Sequence, residues 1–172
     1  GLDNGTAYVF KVKATNAAGT GVASASSASV TPSTVPAAPG SVVASPSDAQ
    51  AEVSWAAGDD GGSAVTDWVV EHSKDAGESW TTFVDGTSTA TSAVVTELAN
   101  GTVYTFRVKG VNANGSGAAA TSAEATVTPR TTPGAPTGVN VVPGEGRANL
   151  SWMAPTDDGG NAVTGYTVRQ ST

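Results

Sequence analysis

The chain of 172 residues carries the same sequence pattern more than once, at a spacing of nearly one hundred residues. The segment Leu2–Lys13 returns 96 residues later as Leu98–Lys109, with the motif Leu-x-x-Gly-Thr-x-Tyr in both copies. Trp55, followed shortly by Asp-Asp-Gly-Gly, returns 97 residues later as Trp152 with the same tetrapeptide. This period is too long for a solenoid repeat and matches a whole small domain. The sequence therefore predicts an array of domains, of which one is complete.

Prolines mark the boundaries between these domains, in Thr31–Pro36 and again in Thr128–Pro133. We expect residues 1–33 to hold the last two strands of one domain, residues 34–129 to form a complete domain, and residues 130–172 to hold the first three strands of the next. These ranges are called the first, central and third units below. Two partial units indicate a piece of something longer, whose exposed strand edges would be completed by the rest of the chain or by another copy. Because the linkers are short and contain proline, we expect neighbouring domains to be held in a semi-rigid row.

Composition excludes several classes of function. Eight basic and fifteen acidic residues give a formal net charge of −7, whereas nucleic acids and anionic membranes attract basic surfaces. The absence of cysteine excludes a disulfide framework, a thiol nucleophile and Cys-ligated zinc. No apolar run approaches the length that spans a bilayer. We therefore expect neither nucleic-acid binding nor membrane insertion.

The pattern of the central unit is typical of an all-β domain. Its apolar runs are short, alternate with polar residues and are separated by Gly, Asn, Asp and Ser, and no stretch has a helical period. The predicted strands are residues 41–45, 51–56, 65–73, 79–84, 91–98, 102–112 and roughly 118–128. Alternation points Trp55, Trp68 and Phe106 inward. It leaves open whether Val94 or Val95 faces the core.

Trp on the second strand, an aromatic residue on the third, and Leu-x-x-Gly-Thr-x-Tyr leading into the sixth together resemble the fibronectin type III domain, in its bacterial secreted variety. The resemblance covers essentially the whole chain and implies tandem immunoglobulin-like, seven-stranded antiparallel β-sandwiches. It implies that Tyr104 is a tyrosine corner, with its hydroxyl bonded to nearby backbone. The residues expected in the structural core are Trp55, Trp68, Leu98, Tyr104 and Phe106 in the central unit, Tyr8 in the first, and Trp152 and Tyr166 in the third.

Two acidic pairs, Asp59-Asp60 and Asp157-Asp158, are the best metal candidates in the sequence. Calcium requires six or more oxygen ligands from a shaped loop, and no acidic partner follows either pair at loop spacing. We therefore interpret the pairs as turn formers and expect no metal and no cofactor.

No group of residues suggests catalysis. The single histidine, His72, gives no basis for a Ser-His-Asp arrangement and is expected to pack or to lie at the surface. Acidic residues that could suggest a glycosidase pair fall on outward strand positions and a turn, in a domain with no expected cleft. They are Asp67, Glu71, Asp75 and Glu78. Basic stripes on outer faces, at Lys11, Lys13, Arg107 and Lys109, predict cross-strand charge pairing. We expect no catalytic residue.

Trp80 and Phe83 form the candidate binding surface. They lie near an edge on the short fourth strand, and their opposite parity places them on different faces. An exposed ring there would stack on a sugar or contact a protein, and the alternative is edge packing over the core.

The leading hypothesis is a non-catalytic structural or spacer repeat of a large extracellular or cell-surface protein or fibre. Its partners would be neighbouring repeats and other copies. Alternatives are an adhesive module for protein or glycan, an accessory repeat of a secreted polysaccharide-degrading enzyme, and a phage tail component. The loop 114–117 lacks Arg-Gly-Asp, so integrin-type binding gains no support.

Replacing Trp55 with Ala should largely unfold the central unit. Truncation of a large core aromatic costs about 3–5 kcal/mol, out of roughly 5–15 kcal/mol for a small domain. Denaturant unfolding of the chain measures the loss. A cooperative transition left unchanged by the substitution would refute the core assignment.

Overall fold

The structure is a computed structural model and describes residues 1–121 and 125–171. Within these ranges it contains twelve β-strands and no α-helix. In chain order the strands are β1 Thr15–Asn16, β2 Gly19–Thr20, β3 Gly40–Ser47, β4 Gln50–Ala56, β5 Asp67–Ser73, β6 Thr81–Thr82, β7 Ser92–Val95, β8 Tyr104–Asn112, β9 Gly115–Ser116, β10 Thr126–Val127, β11 Thr137–Gly144 and β12 Arg147–Met153.

The central unit is a sandwich of two antiparallel sheets, which confirms the predicted fold class. One sheet has the strand order β3-β4-β7 and the other β10-β8-β5-β6, with β9 also paired to β8. The strand predicted at 118–128 is represented by a bridge between Ala120 and Val108 and by β10. Its residues 122–124 lie outside the described residues.

Alternation along β8 builds one side of the core. Tyr104, Phe106 and Val108 are buried, whereas Arg107 and Lys109 between them face outward and are partly exposed. The whole of β5 pairs with this strand, from Ser73 opposite Thr105 to Asp67 opposite Val111. Because successive side chains point to opposite faces, one apolar set is enough to fix which face closes the sandwich.

The other sheet supplies the facing half of the core through β4 and β7. Val95 is fully buried and Val94 is 49% exposed, which answers the question that alternation left open. Trp55 on β4 packs against Trp68 on β5, with ring centroids 5.8 Å apart and planes tilted by 59°. These two rings therefore join the sheets directly.

The flanking units repeat parts of this arrangement. In the third unit, β11 pairs with β12, and Trp152 contacts Tyr166 with ring centroids 5.3 Å apart. This pair corresponds to Trp55 and Trp68 in the central unit. In the first unit, Tyr8 pairs with Val30 in an antiparallel bridge.

Ala49, in the exposed turn between β3 and β4, has a left-handed backbone conformation with φ of 52°. The corresponding turn of the third unit has Gly146, with φ of 63°. A side chain with a Cβ is disfavoured in this region, whereas glycine adopts it without steric cost. The central unit thus has alanine at a turn position where the third unit has glycine, which the turn conformation favours.

Replacing Ala49 with Gly should raise the free energy of unfolding by about 0.5–1 kcal/mol, because relief of the left-handed strain exceeds the added entropy of the unfolded chain. Urea unfolding followed by tryptophan fluorescence measures the change. Ala56→Gly is the matched control, since Ala56 is exposed in a strand and should lose stability on the same exchange. Destabilisation by both substitutions would contradict this account.

Candidate functional site

Two tyrosine corners stabilise the turns that precede Tyr8 in the first unit and β8 in the central unit. The hydroxyl of Tyr104 accepts a hydrogen bond from the Ala99 backbone N at 3.0 Å, and Tyr8 accepts one from Asp3 N at 2.9 Å. Both bonds span five residues. They fix the Asn-Gly turn, the name used below for Asn4-Gly5 and for Asn100-Gly101.

The central and third units each present a second kind of turn, the acidic turn, at residues 59–62 and 157–160. Oδ1 of Asp59 accepts from Gly61 N, and Oδ1 of Asp60 accepts from Gly62 N, both at 2.8 Å. Asp157 and Asp158 repeat these bonds to Gly159 and Gly160 at 2.8 and 2.9 Å. Within the described ranges, no three acidic or histidine side chains are grouped so as to hold a metal ion. These carboxylates accept hydrogen bonds from backbone amides within their own turns.

The first joint is the place where the Asn-Gly turn of the first unit, the linker 32–34 and the acidic turn of the central unit meet. Gly5 N donates to the carbonyl of Pro32 at 2.8 Å. Two residues further on, Thr34 N donates to the carbonyl of Gly61 at 2.9 Å. The linker is therefore anchored to the unit before it and to the unit after it.

The second joint, between the central and third units, has the same bonds at corresponding residues. Gly101 N donates to the carbonyl of Pro129 at 2.9 Å, and Thr131 N donates to that of Gly159 at 2.8 Å. Because these bonds join backbone groups, they are the same although the middle linker residue is Ser33 at the first joint and Arg130 at the second. The chain builds one kind of joint twice.

Asn112 is a further residue of the first joint, which sequence reasoning missed. It is 5% exposed, and its Nδ2 donates to the carbonyls of Thr34 at 2.8 Å and Asp60 at 2.9 Å. Its Oδ1 accepts from Asn114 N at 2.8 Å. One side chain thus ties the loop after β8 to the linker and the acidic turn. The available signal was Asn16, which occupies the same place 96 residues earlier.

The outer face of the β8-β5 pair carries an ionic cluster beside the candidate binding surface. Glu71 accepts from Arg107 Nε at 2.7 Å and from Lys109 Nζ at 3.3 Å. The guanidinium of Arg107 lies over the Trp80 ring, 4.2 Å from its centroid. The indole Nε1 of Trp80 donates to the carbonyl of Gly77 at 2.9 Å. Trp80 therefore has one ring face covered and its polar atom bonded.

Electrostatics favours the charged form of this cluster. Burial raises the pKa of the Glu71 carboxyl, but the hydrogen bonds and positive charges of Arg107 and Lys109 lower it by more, so the pKa lies below its ordinary value. The three groups act as structural ion pairs.

Phe83 lies on the opposite face from Trp80. Its ring is partly buried and packs against the core, and its backbone N donates to the carbonyl of Val70 at 2.9 Å. The two residues of the candidate surface are therefore separated: Trp80 lies in the outer ionic cluster, and Phe83 lies at the edge of the core.

The remaining acidic candidates serve loops. Oδ1 of Asp67 accepts from the backbone N of Ser88 at 2.9 Å. Hydrogen bonds from Ser73 and Ser79 hold the pKa of the Asp75 carboxyl well below its usual range. Glu78 lies in the same turn, where its backbone N donates to the carbonyl of Asp75. The structure does not bring these carboxylates together as a pair.

His72 points between the sheets. Its ring meets Tyr104 and Phe106 edge-on, with centroids 5.7 and 6.4 Å away, and within the described part of the chain its buried Nδ1 has no hydrogen-bond partner. Burial lowers the pKa of His72, and the nearby charge of Lys74 lowers it further. The neutral ring is therefore a packing element.

The structure buries the expected core residues of the central unit: Trp55, Trp68, Leu98, Tyr104 and Phe106. In the flanking units, Tyr8 and Trp152 are partly buried, and Tyr166 is 44% exposed. In the described part of the chain, nothing helical reaches the length and apolarity that a transmembrane span requires.

Comparison with known families matches residues 37–128 to the fibronectin type III domain. A crystal structure of titin domains is similar with a TM-score of 0.54 and 26% identity, over 74% of this chain and 42% of that one. A structure of titin kinase and its flanking domains is similar with a TM-score of 0.50 and 28% identity, over 56% of this chain and 17% of that one. This chain therefore spans less than half the length of either.

The stability of the central unit should fall as the pH drops below the ordinary His72 pKa of 6.5, because the unfolded chain then takes up a proton more readily than the folded one. The stabilising contribution is complete above that pKa and is lost below it. Urea unfolding between about pH 7.5 and about pH 5.5 measures the effect. His72→Phe should flatten this dependence, and Lys74→Gln should make it shallower. An equal slope in His72→Phe would show that other groups cause it.

Proposed function

The chain belongs to the fibronectin type III domain family, and from that membership we propose that it is a non-catalytic structural segment. Its row of β-sandwich units spaces or displays other parts of a larger extracellular or cell-surface protein. Its immediate partners are the neighbouring repeats of the same protein.

The observation that carries this proposal is the duplicated joint. At both joints a proline carbonyl, of Pro32 or Pro129, accepts from the preceding unit, and a threonine amide, of Thr34 or Thr131, donates to the following one. A spacer has to transmit position from one end to the other, which a freely flexible linker does not do. Linkers bonded on both sides suit that task.

The use of the polar groups supports the same interpretation. The carboxylates of Asp59, Asp60 and Asp67 accept hydrogen bonds from backbone amides. The carboxylate of Glu71 forms ion pairs with two cationic side chains. Catalytic carboxylates instead converge on a space where a substrate can lie. These side chains stabilise loops and a sheet face.

An extracellular or cell-surface location is the second part of the proposal. It is supported by the resemblance of the Asp-Asp-Gly-Gly turns and of the Ala- and Thr-rich strands to secreted bacterial repeats, and by the acidic composition, which favours solubility. A fractionation of cells that make the parent protein tests it, and recovery in the cytoplasm alone would overturn it.

Trp80→Ala distinguishes a spacer from an adhesive module. Loss of the cation–π contact and of the indole hydrogen bond should lower the free energy of unfolding by about 1–2 kcal/mol. On a glycan array and in a protein pull-down, the unsubstituted chain and the variant should both give no retained ligand.

Thr82→Ala is the matched control, since Thr82 is exposed and pairs with Glu71 on the same face, and its loss should change stability little. A glycan or protein held by the unsubstituted chain and by Thr82→Ala, but released by Trp80→Ala while that variant stays folded, would favour the adhesive function.

A further inference from the structure

The Asn-Gly turn and the acidic turn are in close backbone contact at the first joint. A Cβ placed on Gly62 would lie 2.2 Å from Gly5 N and 2.7 Å from the carbonyl carbon of Asn4. Both are backbone atoms and are nearer than the 3.0 Å that real Cβ atoms respect. The acidic turn therefore has room for the Asn-Gly turn only because its last residue has no side chain.

The second joint reproduces this contact. A Cβ on Gly160 would lie 2.3 Å from Gly101 N and 2.8 Å from the carbonyl carbon of Asn100. From the other side, a Cβ on Gly101 would meet Gly160 Cα at 3.1 Å, and a Cβ on Gly5 would meet Gly62 Cα at 3.2 Å. The two joints thus bring glycine against glycine with nearly the same separation.

The side chains that differ between the joints do not explain the agreement. Asp3 precedes the Asn-Gly turn of the first unit, whereas Ala99 occupies that place in the central unit. The middle linker residue is Ser33 at the first joint and Arg130 at the second. What the joints share is the backbone geometry, the glycines that permit it, and the same Asn, Pro, Thr and Asp residues around them.

We propose that the acidic turn is a docking site for the Asn-Gly turn of the preceding unit, so that its partner is another copy of this repeat and one orientation between units recurs along the array. The inference rests on the proposed structural function, to which it adds the contact that sets the geometry. No side chain separates the two turns, so closer approach brings backbone atoms into collision.

The linker allows the small contact between the two turns to hold neighbouring units together. Two turns alone bury far less surface than separate proteins need for stable association, which is about 1,000 Å² or more. Here the bonds at Pro32 and Thr34 hold the turns in register, and the tether raises their effective concentration. The docking is therefore intramolecular, between consecutive units.

The test measures a distance across the first joint in the full chain. The chain has no native cysteine, so Ser26→Cys and Ser54→Cys place one nitroxide on an exposed position of each unit. Pulsed electron–electron double resonance then gives the distribution of distances, with and without Gly62→Ala. Gly86→Ala is the matched control, because Gly86 has a similar φ of +82° and no atom within 4 Å of its Cβ position.

The expected result is one narrow distribution for the labelled chain and for Gly86→Ala, and a displaced or broad one for Gly62→Ala. Tryptophan fluorescence on both variants checks that the central unit stays folded, and equal loss of folding in both assigns that loss to the backbone strain they share. A broad distribution in the labelled chain, or a narrow one unchanged by Gly62→Ala, overturns the docking proposal. A broad distribution in the labelled chain would also count against the rigid spacing of the proposed function, whereas a narrow distribution unchanged by Gly62→Ala would overturn the docking proposal alone.

Discussion

The contact between Trp55 and Trp68 is the interaction on which the central unit depends, because the two rings lie on different sheets and meet between them. A sandwich of this size has few large side chains, with aromatic residues at only 6% of the chain. Apart from Tyr104 and Phe106, the remaining core residues are smaller and gain their burial only once the sheets are held together. A corresponding ring contact recurs between Trp152 and Tyr166 in the third unit.

The joints use a different kind of recognition from the core. Inside a unit, side-chain volume decides what packs, as Trp55 illustrates. At the joints, backbone amides and carbonyls bond each unit to the linker, and Gly62 and Gly160 keep side chains out of the contact between the turns. Backbone bonds do not depend on the middle linker residue, which is Ser33 at the first joint and Arg130 at the second. In the proposed array, such joints give regularity without a large interface.

Sequence periodicity predicted the fold class and the inward positions of Trp55, Trp68 and Phe106, since alternation is a local property of strands. It could not decide between Val94 and Val95, because their strand is at an edge and its alternation is broken. Sequence periodicity also did not identify Asn112, because three segments distant in sequence meet at that side chain only after folding. Within the candidate surface, opposite parity predicted different faces for Trp80 and Phe83. The cover that Arg107 provides over Trp80 required the register between strands.

The sequence by itself determined the β-sandwich, its repetition, and the turns that aspartate and glycine dictate, because each follows from patterns within a few neighbouring residues or from comparison of one copy with another. Only the tertiary structure decided that the acidic turn of one unit meets the Asn-Gly turn of another, and that its glycine is needed for close approach as well as for φ. The reason is physical: a local motif specifies backbone torsions, whereas a contact between units depends on where folding places two rigid bodies in space.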